Sequence, residues 1–120
     1  MKRLALLLIL ATACHPQDER TAKELTAGDP VKGRQAIASY GCGACHQIKG
    51  VNGANGMVGP PLNNIGSRTT LAGQLPNSPE NMIRWIRTPQ EVESGTSMPN
   101  LGVTESDARD IAAYLYTLRQ

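Results

Sequence analysis

The chain is 120 residues long, enough for one domain and a leader, with a formal net charge of +2. It holds no Phe, only 3% aromatics, 12 Gly and 8 Pro, so a core built on large rings is excluded and another filler is required. Lys2 and Arg3 fall in the leader; without them acids and bases balance, no basic stripe remains, and nucleic-acid binding is excluded.

Residues 1–13 read Met-Lys-Arg-Leu-Ala-Leu-Leu-Leu-Ile-Leu-Ala-Thr-Ala, a basic start and then an apolar run. The run is too short to span a bilayer and reads as a secretory signal peptide. Cys14 follows it. The stretch Leu10-Ala11-Thr12-Ala13-Cys14 is similar to a bacterial lipobox, with Ala11 where Leu is usual. Lipidation of Cys14 is the favoured reading, because the apolar run is short and ends at the Cys. Two alternatives stand beside it: cleavage after Ala11-Thr12-Ala13 that leaves a bare exported thiol, and a Cys within an uncleaved leader. Residues 14–28 are polar without a strong apolar period. They predict a flexible linker with a reach of roughly 20 Å, and His15 reads as a solvated residue within it.

The domain is expected over residues 29–120. Asp29-Pro30 predicts a helix start, with Asp as the cap and Pro in the first turn. The helix runs to about Tyr40, with Val31, Ile37 and Tyr40 on one side, and Gly41 stops it. Gly33 inside it costs roughly 1 kcal/mol relative to Ala. Either that cost is simply tolerated or another backbone approaches there, the last helix first among candidates.

Residues 42–46 read Cys42-Gly43-Ala44-Cys45-His46. C-x-x-C-H is the haem c attachment pattern. Two thiols must each add to a vinyl group on the porphyrin edge, and the next side chain must bring an imidazole nitrogen to iron. A single turn of chain ending in His can do all three. A thioredoxin-like redox pair would want a βαβ context, and none is visible. A structural zinc would want four Cys or His ligands; the chain has three Cys and two His, with one of each in the leader region. A buried macrocycle also supplies the filler that the composition lacks.

Gly50, Gly53, Gly56 and Gly59, with Asn52 and Asn55, predict a loop. Gly59-Pro60-Pro61-Leu62 then fixes the backbone. A ligating His donates its second ring N–H to a carbonyl or carboxylate, and a rigid Pro carbonyl would serve. An ordinary rigid turn accounts for the same four residues equally well. Ser78-Pro79-Glu80 predicts a second helix, with Met82, Ile83 and Ile86 as its stripe and Trp85 beside them; it ends before Pro89. Residues 91–103 read as a loop carrying Gly95-Thr96-Ser97-Met98-Pro99. Thr104-Glu105-Ser106-Asp107 caps the last helix, with Ile111, Tyr114, Leu115 and Leu118 facing inward. Period-two alternation is never sustained, so the fold class is all-α.

A bound iron needs a sixth ligand or a vacancy. Met82 lies on a helix stripe and reads as core. Met57 follows His46 too closely, and His15 is in the linker. Met98 lies far enough along, on a loop, to return over the other face, so spacing favours Met98.

At this point the chain resembles a family. Gly33, Cys42-Gly43-Ala44-Cys45-His46, Gly59-Pro60-Pro61-Leu62, Ile65-Gly66-Ser67-Arg68, Thr88-Pro89, Gly95-Thr96-Ser97-Met98-Pro99 and Tyr114-Leu115 are similar, in order, to a class I mono-haem cytochrome c. The resemblance covers roughly residues 30–119 and implies three to five short helices wrapped around one haem c. It implies thioethers at Cys42 and Cys45, His46 as proximal ligand and Met98 as distal ligand. It implies a Pro60 carbonyl on the His46 ring, Leu62 packed on the haem, Arg68 near a propionate, and Gly33 against the C-terminal helix near Tyr114. Ile37 stands where the family usually has Phe, the spacer from Gly33 to Cys42 is one residue longer than is commonest, and Trp85 stands for the family's aromatic near the haem floor. Residues 50–75 also resemble cytochrome c domains associated with haem–copper oxidases.

The expectation is an exported electron carrier and not an enzyme, a monomer when free. It would sit on the periplasmic side of a bacterial membrane through a lipid at Cys14. Its partners would be redox proteins, a haem–copper oxidase or a quinol- or alcohol-type dehydrogenase among them. A haem subunit held permanently in such a complex, and a haem enzyme or gas sensor with a displaceable Met98, are the alternatives. A haem-free thiol oxidoreductase is the remote one.

Overall fold

The structure, a computed structural model, describes residues 16–119. The expected signal peptide, Cys14 and His15 lie outside the described residues. Five helices follow one another: α1 Pro16–Thr26, α2 Pro30–Tyr40, α3 Pro79–Arg87, α4 Pro89–Val92 and α5 Glu105–Tyr116. Short 3₁₀ turns fall at Cys42–Ala44 and Ile65–Ser67. A small hairpin pairs β1 Thr70–Leu71 with β2 Leu75–Pro76. Three residues, Ala72-Gly73-Gln74, join the strands, with positive φ at Ala72 and Gly73 and Gln74 N–H donating to the Leu71 carbonyl. The architecture is all-α in everything but this hairpin.

Local chemistry sets three of the helix starts. The Asp29 carboxylate accepts from the N–H groups of Val31 and Lys32. The Lys32 hydrogen bond leads in holding that carboxyl below its ordinary range. Ser78 accepts from Asn81 N–H, and Thr104 from Asp107 N–H. Gly41, at φ 74, closes α2.

The core forms where α2 and α1 meet α5. Ile37, Ala108 and Ala112 are wholly buried, with Ile111, Leu115 and Met82 beside them. The small residues of α5 let backbones come close. A methyl on Gly33 would overlap the Asp110 carbonyl, one turn before Tyr114, and a methyl on Gly28 would overlap that of Arg109. Val31 departs from the expected inward face and is 55% exposed.

Two segments expected as coil are helical. Residues 16–26 form α1 and not a flexible linker. Among its residues whose burial is described, just two small ones are buried, Ala22 and Thr26. Thr26 Oγ1 donates to the Ala22 carbonyl and accepts from Gly28 N–H, which closes the helix end. Arg109 donates to the Thr26 carbonyl, and Asp29 N–H donates to the Asp110 carboxylate. These bonds come from a helix more than eighty residues away in sequence, so a local reading misses them. Likewise Pro89, which ends α3, also starts α4, and Glu93 N–H closes it on the Pro89 carbonyl.

Candidate cofactor site

Gly41 turns the chain out of α2 and straight into the Cys42–Ala44 turn. Cys45 and His46 N–H both donate to the Cys42 carbonyl, at 3.2 and 3.1 Å. One tight turn therefore carries two thiols and the imidazole. Both thiols are free and half-buried. Burial pushes the Cys42 thiol up, and the neighbouring Cys45 adds to it.

A second layer lies against this turn. Gly56 N–H donates to the Gly43 carbonyl, Gly59 N–H to the Cys45 carbonyl and Leu62 N–H to the Gln47 carbonyl. Glycine is required where the layers touch. A methyl on Gly43 would stand 2.7 Å from Ala54, and one on Gly56 would overlap Ala44 and Cys45. A methyl on Gly59 would stand 2.7 Å from His46 Nδ1 and 3.0 Å from Nε2.

The His46 ring is oriented by its partner. Nδ1 lies 2.7 Å from the Pro60 carbonyl oxygen. A carbonyl can only accept, so Nδ1 carries the proton. The neutral ring then keeps its lone pair on Nε2, where a metal would take it. The Pro60 carbonyl thus stands where an orienting partner of the ring would stand.

The other sequence candidates take these places. Leu62 is half-buried against the core. Arg68 donates to the Pro61 carbonyl and to Asn64 Oδ1, which draws its guanidinium onto the proline pair. Trp85 is half-buried on α3. Met57 is 85% exposed and Met82 is core. Met98 is half-buried on a separate loop between α4 and α5.

Several supporting contacts carry no sequence signal. Asn77 donates to the Ile65 and Arg68 carbonyls and accepts from the buried Tyr116 hydroxyl, fixing the Arg68 turn to α5. Burial pushes the Tyr116 hydroxyl up to about 12. The Tyr114 hydroxyl donates to the Lys49 carbonyl and ties the loop after His46 to α5. Gln90 donates to the Met98 loop. Of the layer contacts, only the Gly50–Gly59 spacing was visible as a pattern.

Haem c fits these residues. Two thiols sit on one turn, an imidazole is held in the ligating tautomer, and a thioether stands on a half-buried loop. Among the described residues no three His, Cys, Asp or Glu converge on a point, so a bare ion has no cage here. No helix among them is long and apolar enough to cross a membrane.

Comparison with known proteins gives one family. The model of the family described as cytochrome c matches residues 30–119. Cytochrome c oxidase subunit 2 of Alkalihalophilus pseudofirmus is 37% identical over 89 residues, covering 73% of this chain and 25% of that protein. The subunit 2 of Bacillus sp. strain PS3 is 30% identical over 105 residues, covering 83% of this chain and 30% of that protein. Cytochrome c2 of Rhodomicrobium vannielii is 33% identical over 110 residues, covering 81% of this chain and 85% of that protein. The chain thus spans about a quarter to a third of the two oxidase subunits and most of the small cytochrome.

Proposed function

This chain belongs to the cytochrome c family and is a c-type cytochrome of electron transfer, and we propose that it is a mono-haem carrier with His46 and Met98 as axial ligands. Cys42 and Cys45 hold the haem by thioethers. The observation that carries this reading is the 2.7 Å contact from His46 Nδ1 to the Pro60 carbonyl, on the same turn as the two thiols. Bound there, haem supplies a one-electron iron couple.

The chain's own residues tune that couple. The Pro60 carbonyl fixes the ring and makes Nε2 more basic. The Met98 thioether is soft and raises the reduction potential relative to a bis-nitrogen site. With both ligands in place no position is left for substrate, which favours a carrier over an enzyme. Electrons leave at the edge near Cys42 and Cys45, and partners dock there in small, short-lived encounters.

The carrier serves a respiratory chain and passes electrons towards a terminal oxidase. Two oxidase subunits among its relatives support that direction. They equally favour a second reading, a haem subunit held in such a complex. Co-purification with an oxygen-consuming complex through a salt wash selects the second; recovery as a free monomer selects the first. The leader and Cys14 support export and lipid anchoring on the periplasmic side of a bacterial membrane.

Visible spectra of the purified protein test the ligand set. Sharp c-type bands on reduction, a weak ferric sulfur-to-iron band and indifference to CO are expected. Met98→Ala is expected to keep covalent haem, turn high-spin and bind CO. An unchanged low-spin spectrum in that variant would refute Met98 as ligand.

A further inference from the structure

The loop from Gly95 to Asn100 has little regular structure of its own, yet it is held at five points, three of them through Gln90. Gln90 Nε2 donates to the Thr96 carbonyl at 2.6 Å and to the Met98 carbonyl at 2.8 Å. Gln90 backbone N–H donates to Asn100 Oδ1 at 3.4 Å. The other two are Met98 N–H, which donates to Thr96 Oγ1 at 3.4 Å, and Thr96 N–H, which donates to the Glu93 carbonyl at 3.1 Å. A primary amide has two N–H donors, and here both go to carbonyls two residues apart, one of them that of Met98.

Gln90 can hold the loop because it is itself held. It follows Pro89, which is fully buried, in the four-residue α4. Glu91 and Val92 N–H close on the Thr88 carbonyl, and Glu93 N–H on that of Pro89. The Glu93 carbonyl ties Thr96 to the end of α4, and the Gln90 side-chain amide ties the Met98 carbonyl itself.

We infer that Gln90 is the positioning residue for Met98, fixing the backbone from which the thioether reaches iron. This rests on the reading of Met98 as axial ligand. A thioether is a weak ligand on a flexible side chain, so its hold depends on where its backbone stands. Loss of both amide bonds, at ordinary net strength, favours the displaced state of Met98 roughly 30-fold.

Three variants of the haem-loaded protein test this against imidazole as a competing ligand. Gln90→Leu removes both donors. Gln90→Glu keeps the shape but turns a carboxylate towards two carbonyl oxygens. Gln90→Asn keeps the amide and shortens its reach by one methylene, so it is the mildest. Imidazole affinity is expected to rise roughly 30-fold in Gln90→Leu, at least as much in Gln90→Glu, and by less in Gln90→Asn. The ferric sulfur-to-iron band should weaken and the potential should fall in the same order. Thr26→Val, on the far helix α1, is the control: it lowers stability and leaves imidazole affinity unchanged.

Wild-type affinity in all three Gln90 variants, beside a large rise in Met98→Ala, would overturn the positioning role and leave the ligand reading intact. A rise as large in Thr26→Val would also overturn it, because general softening would then suffice. An unchanged spectrum in Met98→Ala removes the ligand reading itself, and the positioning role with it.

Discussion

Gly59 has no side chain, yet it decides where the His46 ring can stand. A methyl there would press on the ring itself, 2.7 Å from Nδ1. The ring cannot retreat without losing the Pro60 carbonyl, and the Pro60-Pro61 backbone cannot follow it. Gly59→Ala is therefore expected to destabilise the protein by about 1–3 kcal/mol, the ordinary cost of overpacking. It should also lower the fraction of chains that acquire covalent haem. The haem-to-protein ratio after expression checks this, and a wild-type ratio with wild-type stability would contradict it. Gly56, packed on Ala44 and Cys45, belongs to the same layer contact.

Among the elements, α2 and α5 make the sharpest case. Gly→Ala inside a helix ordinarily gains about 1 kcal/mol. At Gly33 the added methyl meets the Asp110 carbonyl and its carbon, which are backbone and cannot swing away. The clash should win, so Gly33→Ala is expected to lower stability by about 1–3 kcal/mol; a thermal or urea melt of the variant reads the sign directly. How far the elements were legible follows from what specifies them. Asp29-Pro30, Ser78-Pro79 and Thr104 write their caps into adjacent residues, so α2, α3 and α5 could be read. The haem motif, and the prolines that orient its histidine, are equally local. α1 could not be read, because Ala22 and Thr26 make too small a stripe and its partners, Arg109 and Asp110, lie at the other end of the chain. The Gln90 clamp is hidden for a like reason, since a side chain bonding backbone six and eight residues on leaves no periodic trace.

The molecule as a whole is close to neutral once the leader is set aside, and two haem propionates would make it slightly acidic. Beside the haem motif, Met57 and Val58 are 85% and 72% exposed. Long-range steering by charge should then be weak, and contact should lean on apolar surface. The rate of electron exchange with an isolated redox partner is expected to change less than about threefold between low and high salt. A fall of many-fold would mean that charge governs the encounter.

The packing of α1 on α5 bears on where such a molecule could travel. A lipid at Cys14 would leave one residue, His15, between the anchor and a helix about 16 Å long. That helix is not a rope but a leg, fixed to the body by Thr26, Gly28 and Asp29. A helix packed in this way adds no slack to the tether, so the haem domain would range less far from the lipid than it would on a coil of the same length. It would search for partners more by drifting across the plane than by swinging outward to meet them.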